Sequence, residues 1–361
     1  MAAERGGLSE QILQRCAEFG FAAAGVCDAR PTSFGDAFRG WLKTGKHGSM
    51  TWLGEHVDVR LDPSKLIDDG ARSVVMVADV YAARAENVDQ PLRPGHGRVA
   101  RYARGRDYHK VIKKRLHGLC DELRERFPGE AFRAFVDTAP ALERELATRC
   151  GIGWQAKHTL TIHPRLGSYL LLGGVATTLE LPTPLDQSTA TDHCGTCTRC
   201  IDACPTDAIS PYSVDATRCI SYLTIERRDV IDPAFFRSIG GWLFGCDICQ
   251  EVCPHNSPKI VPEPNPAYRG ERSSFNLLEV LDWSAEDRTR ELRGSAMKRA
   301  TLDMFRRNAV IALSNLAAHT GDASTTEAIR SIAERENEVE LVRSTARAAL
   351  ARLDADGPSP S

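Results

Sequence analysis

The stretch Cys194–Pro205 reads C-G-T-C-T-R-C-I-D-A-C-P, and Gly245–Pro254 reads G-C-D-I-C-Q-E-V-C-P. The first places Cys194, Cys197, Cys200 and Cys204 at the spacing C-x2-C-x2-C-x3-C-P, a ligand run of proteins that hold two iron–sulfur clusters side by side. The second places Cys246, Cys249 and Cys253 before Pro254; read back from that proline it lacks a first cysteine and has Leu243 instead. Cys219 lies between the runs and can fill the gap, which makes eight thiolates. Three cysteines two residues apart let one tight loop wrap three corners of a cubane, while the cysteine before the proline turns to the other cluster. The expected ligand sets are therefore Cys194, Cys197, Cys200 and Cys253 for one [4Fe-4S] cluster, and Cys204, Cys219, Cys246 and Cys249 for the other. A zinc site would use separate C-x2-4-C pairs rather than an unbroken four-cysteine run with Cys-Pro ends.

Outside this module the chain has room for more than one core. Its 361 residues, 42% of them hydrophobic, argue for two or three domains. The expected division is 1–184, 185–257 and 258–361, with Leu181–Pro184 as the first linker and the proline-rich Pro258–Arg272 as the second. The remaining cysteines Cys16, Cys27, Cys120 and Cys150 are scattered and read as buried thiols rather than a disulfide framework. The N-terminus MAAERGGLSEQ has no signal-peptide core, and the best apolar run, Tyr169–Ala176, is too short to span a bilayer. A reducing cytoplasm and no membrane are expected. Net charge is −2, so bulk charge announces no nucleic acid. Arg98–Arg115 nevertheless holds eight Lys and Arg against Asp107, which suits either phosphate contact or a solvated helix face.

Apolar periodicity gives the rest of the frame. Helices are predicted over 8–19, 36–43, 107–127 (with Val111, Leu116, Leu119 and Leu123 inward) and 142–150. Strands are predicted over 21–27, 73–81, 131–136, 159–162 and 168–179. This alternation argues for an α/β N-terminal domain with a central sheet. After the clusters the pattern is helical, with a long helix marked by Leu302, Phe305, Ala309, Leu313 and Leu316 and shorter ones over 325–335 and 338–353. Stacked helices of this size resemble HEAT-type repeats or a plain packing cap. The tail Gly357–Ser361 is expected to be disordered.

Asp137, in V-D-T-A-P-A-L-E-R, ends a predicted strand. It suits a general acid if burial raises its pKa, or an N-cap for the following helix. Lys157 and His158, in G-W-Q-A-K-H, follow a glycine turn and can face the same pocket or solvent. Neither G-x-G-x-x-G after a strand nor a Walker loop is present, so a nucleotide cofactor has no support.

Several motifs together point further: R-L-D-P-S-K-L from Arg60, R-Y-A-R-G-R-D-Y-H from Arg101, V-D-T-A-P-A-L-E-R, both cysteine runs, and C-I-S-Y-L-T-I-E from Cys219. In this combination the chain resembles the epoxyqueuosine reductases, which complete queuosine synthesis on tRNA. The resemblance covers nearly the whole chain. It implies a cobalamin between the α/β domain and a ferredoxin-like double-cluster domain, with a HEAT-like all-α C-terminus. It implies Asp137 as proton donor, and Ser221, Asp247, Ile248, Arg60 and Lys157 as cobalamin contacts. It implies Thr224 as a tRNA contact, tRNA carrying epoxyqueuosine as substrate, an external electron donor and a monomeric protein. One local departure is Gln155-Ala156, where Ile-Gly is expected. The alternatives are a corrinoid reductase acting on a small molecule, such as a dehalogenase, and a plain electron-transfer module.

Overall fold

Ser73–Val80 is buried at every position, because it lies inside a four-stranded sheet covered on both faces. The sheet order is Ala23–Asp28, Ser73–Val80, Leu170–Thr177, Phe132–Phe135. Val75 and Val77 pack towards Ile12, Ile112, Leu116 and Leu119; Val74, Met76 and Ala78 pack towards Leu146, Ala147 and Phe135. Each buried Val, Leu, Ile, Met or Phe among these contributes about 1.5–3 kcal/mol of transfer free energy. The computed structural model describes residues 2–82, 93–187, 190–257, 263–270 and 272–356. The tail Gly357–Ser361 and part of the second expected linker lie outside the described residues.

Every pairing in this sheet is antiparallel, which corrects the α/β expectation in its strict sense. Helices do follow strands in the sequence, but they pack onto an antiparallel sheet. A ligand site at shared carboxyl ends of parallel strands is therefore not what positions Asp137. The site instead lies where Phe132–Phe135 and Ser73–Val80 both end and Leu170–Thr177 begins.

Tyr108–Arg126 is the long helix on one face, N-capped by Asp107, whose Oδ1 accepts from the His109 N–H at 3.1 Å. Its buried stripe is Ile112, Leu116, Leu119, Cys120 and Leu123; Val111, expected inward, sits half-buried at its edge. The opposite face carries Glu143–Arg149. Cys16, Cys27, Cys120 and Cys150 are free and buried, as expected.

A second sheet ties the chain together. His96–Val99 lies between Trp242–Phe244, parallel to it, and Ser274–Asn276, antiparallel to it. Strands of three or four residues carry too little periodicity to be read from sequence. Leu302–Thr320 packs on Ala323–Glu334 and Glu340–Asp356, and its Phe305 ring stacks on Phe244 at 5.9 Å. One core runs from Leu223, Phe236 and Phe244 through Phe305, Ala309 and Val342, across the expected boundary at residue 257. Among the described residues no helix is long and apolar enough to cross a membrane.

Candidate functional site: a proton-bearing cluster beside two thiol sets

The eight cysteines fall into two groups. Cys253, pushed up to about 11 by burial, lies within electrostatic reach of Cys194, Cys200 and Cys197. Cys246, raised chiefly by burial, lies within reach of Cys219 and Cys204, and Cys249 within reach of Cys246 and Cys219. Cys249 also reaches Cys200, where the two sets adjoin. Leu243, at the missing cysteine position, is fully buried in the core, and Cys219 precedes the helix Ile220–Ile225. Eight thiols in two sets of four, with no disulfide among them, are the donor chemistry that two [4Fe-4S] clusters require.

Asp137 sits two residues past the strand Phe132–Phe135 with φ 49°. A non-glycine residue there costs of order 1–3 kcal/mol and is held only by its surroundings. Glu143 Oε1 accepts from the Asp137 N–H at 2.5 Å. The Asp137 carboxylate accepts from the Tyr108 hydroxyl at 3.0 Å and meets His109 Nε2 at 2.9 Å. The other ring nitrogen of His109 lies 2.8 Å from Asp107 Oδ1. The helix Glu143–Arg149 starts after Leu142 and has no side-chain cap, so Asp137 is not its N-cap.

The electrostatics correct the expected protonation. Burial pushes the Asp137 pKa up, but its hydrogen bond with His109 and the imidazolium charge outweigh this and hold it below the usual carboxylate range. Burial pulls His109 down, yet hydrogen bonds with Asp107 and Asp137 take it up to about 9. Burial and the Asp137 charge push Glu143 up to about 8. At neutral pH His109 and Glu143 therefore carry protons and Asp137 does not. The side chain of Asp137 stays 55% exposed, at the mouth of the site.

The segment Arg101–His109 joins this cluster to the second thiol set. Asp247, buried between Cys246 and Cys249, accepts from the Arg101 backbone N–H at 2.8 Å, and the Arg101 guanidinium binds Glu251 at 2.8 Å. Tyr102 stands between, edge-on to Tyr108 at 6.1 Å and tilted against Phe244 at 6.2 Å. Arg299, from the C-terminal part, lies within electrostatic reach of Asp137; it binds Glu226 through two nitrogens and stacks on Trp52 at 4.8 Å.

The other expected contacts separate. Arg60 is buried with its Nε unpartnered among the described residues, and it feels Glu143. His158, whose Nδ1 accepts from the Leu160 N–H at 3.2 Å, keeps a buried Nε2 without a partner among the described residues. Ser221 and Ile248 are half-buried at the second thiol set. Lys157 turns away to the first set, where its Nζ donates to Gly195 O at 2.6 Å and Cys197 O at 3.0 Å. Thr224 is fully buried. Its hydroxyl donates to Ile220 O at 2.8 Å and accepts from the Gly245 N–H at 3.0 Å, so it offers no surface to a tRNA. Sequence reasoning missed Tyr108, His109 and Glu143; the Asp-x-His pair opening a helix was the available signal for His109.

Residues 193–256 match the 4Fe-4S double cluster binding domain, which defines the class as a protein built around two iron–sulfur clusters. Residues 60–138 match the family described as epoxyqueuosine reductase QueG, DUF1730. The chain is 36% identical over 312 residues to the epoxyqueuosine reductase of Vibrio cholerae, covering 85% of this chain and 83% of that one. It is 38% identical to that of Leadbetterella byssophila, covering 83% and 96%. The chain belongs to the epoxyqueuosine reductase family. An epoxyqueuosine reductase structure with an epoxyqueuosine-modified tRNA-Tyr stem loop superposes with TM-score 0.85 at 27% identity, covering 96% of this chain and 90% of that one. The Bacillus subtilis enzyme, in a structure with its aspartate-bearing catalytic loop swung out of the active site, gives TM-score 0.84 at 27% identity, covering 95% and 89%.

Proposed function

We propose that this protein reduces the epoxide of epoxyqueuosine at the tRNA wobble position to give queuosine. The observation that carries the reading is the Asp137–His109–Glu143 cluster joined through Arg101–His109 to the second thiol set, in a chain of this family. The two cysteine sets are read as ligands of two [4Fe-4S] clusters. Cobalamin is read as the further cofactor: the buried, unpartnered Arg60 Nε and His158 Nε2 suit the carboxamide rim of a corrin, with Ser221 and the backbone at Asp247-Ile248 beside it. When bound, these groups supply one-electron transfer and a strongly reducing metal centre.

The chain's own residues bind, orient and protonate. Removing the epoxide oxygen as water takes two electrons and two protons. As charge develops on that oxygen, Asp137 hands on a proton that His109 holds at Nε2, and Tyr108 keeps the carboxylate aimed. Glu143 is a second proton source, and its bond to the Asp137 backbone keeps that residue in its strained conformation. The helices after residue 300 are read as a HEAT-like surface for the tRNA stem. The test is conversion of epoxyqueuosine-tRNA by the anaerobic, cobalamin-loaded protein supplied with a low-potential chemical reductant as the source of the two electrons. Asp137→Ala is expected to keep iron, cobalamin and tRNA binding while turnover falls by roughly two to four orders of magnitude. A wild-type protein that binds this tRNA and leaves it unchanged would overturn the reading.

A further inference from the structure

The segment Trp154–Lys157 belongs to the sheet domain, yet it closes over the first thiol set. Trp154–Gln155 pairs with Thr161–Ile162 as a hairpin, and Gly153 before it is so close to the opposite strand that a Cβ would fall 2.2 Å from Ile162 O. No side chain fits at Gly153, so the hairpin is held tightly shut. The Trp154 ring is 2% exposed. It packs on Cys194 and Cys253 and stands edge-on between His193 at 5.1 Å and His255 at 4.9 Å. Its Nε1–H has no hydrogen-bond partner among the described residues; the polar group it approaches is the Cys194 thiol, which the Lys157 backbone N–H also approaches. A buried N–H left without an acceptor is costly, and here the cost disappears once the sulfur is a cluster-bound thiolate able to accept. Three residues on, the Lys157 ammonium donates to Gly195 O at 2.6 Å, inside the loop between the first two cysteines, and to Cys197 O at 3.0 Å, on the second of them. Asp192 partly offsets this charge, since it feels Lys157, but its carboxylate is already engaged by the Cys194 N–H at 2.7 Å and the Tyr212 hydroxyl.

We propose that Trp154 and Lys157 form a hydrogen-bonding collar, supplied by the sheet domain, on the cluster held by Cys194, Cys197, Cys200 and Cys253, and that this collar raises that cluster's reduction potential. The proposal rests on the assignment of that ligand set. Reduction adds negative charge to the cluster; N–H donors aimed at its sulfurs and a cation on its loop stabilise the reduced form over the oxidised one. Both act as positioning and tuning residues, not as ligands. The collar would also lock the first cluster to the domain that carries Asp137, so that electron entry and proton delivery share one rigid frame.

The experiment is a redox titration of the anaerobically reconstituted full chain, followed by paramagnetic resonance, with iron and sulfide determined on each sample. Trp154→Phe keeps the ring and removes the N–H. Lys157→Met keeps the length and removes the charge, and Lys157→Arg restores the charge. With iron content as in wild type, Lys157→Met is expected to weaken reduction of one cluster about tenfold, which is 59 mV for a one-electron couple. Trp154→Phe is expected to weaken it about threefold or more, in the same direction. Lys157→Arg is expected to stay near wild type, and the second cluster's signal should not move. Full iron content with unmoved potentials in Trp154→Phe and Lys157→Met would overturn the collar. If Lys157→Met loses iron, the Trp154→Phe titration still decides. Cys194→Ala retaining both cluster signals would instead overturn the ligand set, and the collar with it.

Discussion

His109→Gln removes the imidazolium proton while keeping a donor towards Asp137. In the wild type, His109 is charged up to about pH 9, so single-turnover reduction is expected to be flat from neutrality to about pH 9 and to fall above it. In the variant the remaining proton source is Glu143, so its rate is expected to fall as pH rises through about 8 rather than about 9. At neutral pH the loss should reach about two orders of magnitude, the scale of a positioned proton donor. Stability follows with a definite sign. The pKa rises from 6.5 unfolded to about 9 folded, so the stabilisation is fully present below about pH 6.5 and is lost as pH rises through about 9. That shift corresponds to about 3 kcal/mol. Because the Asp137 side chain is 55% exposed, screening reduces this to about 1–2 kcal/mol. Melting temperature and anaerobic single-turnover rate, measured from pH 6 to 10 on wild type and variant, separate the two effects. An unchanged pH–rate profile in His109→Gln would refute the proton-holding role, whatever happened to stability.

Three further outcomes are expected. Reconstituted protein should hold about eight irons and eight sulfides, and Cys219→Ala should lose only the cluster that also uses Cys204, Cys246 and Cys249; both signals surviving would remove Cys219 as the substitute for the missing cysteine at Leu243. Reversing charge at Lys113 and Lys114, both exposed on the long helix, should weaken tRNA binding several-fold and reduce the salt slope by up to about 2; unchanged affinity would return that helix to a merely solvated face. Thr224→Val should leave the Gly245 N–H unsatisfied and cost about 1–3 kcal/mol in thermal or denaturant unfolding, with tRNA affinity per folded molecule intact; the opposite pattern would reinstate Thr224 as a tRNA contact.

How much of this was readable in the residues depended on whether a property was local. The cysteine runs were legible because cluster ligation imposes a spacing along the chain, and residues 193–256 match a 4Fe-4S double cluster binding domain. Long elements such as Tyr108–Arg126 and Leu302–Thr320 were legible because their apolar stripes repeat over several turns. Strand direction was not: a buried strand such as Ser73–Val80 has the same apolar run in a parallel or an antiparallel sheet. The protonation of Asp137 was also hidden. Its pKa depends on His109, 28 positions earlier, and burial read from sequence gave the opposite sign. Lys157 was misplaced for a related reason, since four methylenes let the ammonium reach a loop 38 positions away. The basic run divides in the same way: Arg101 and Arg115 turn inward to carboxylates, while Lys110, Lys113 and Lys114 face water.

The helix Leu302–Thr320 also supports the second thiol set, through two buried side chains. Arg307 is fully buried and donates to the carbonyl oxygens of Leu223 at 2.8 Å, Arg227 at 2.6 Å and Asp229 at 2.8 Å. These lie within and just beyond Ile220–Ile225, whose last carbonyls lack intrahelical partners, and a cation at a helix C-terminus is also favoured by the helix dipole. Burial lowers the Arg307 pKa to about 9, yet a guanidinium with this many acceptors is satisfied where an unpaired charge would not be. The neighbouring Asn308 donates to Thr224 O and to Leu243 O, each at 2.9 Å. One residue pair on Leu302–Thr320 thus fixes the helix that follows Cys219 and the strand that precedes Cys246. Those are the two elements whose separation sets the distance between Cys219 and the second cysteine run. Leu302–Thr320 therefore supports from behind the two elements that adjoin Cys219 and Cys246.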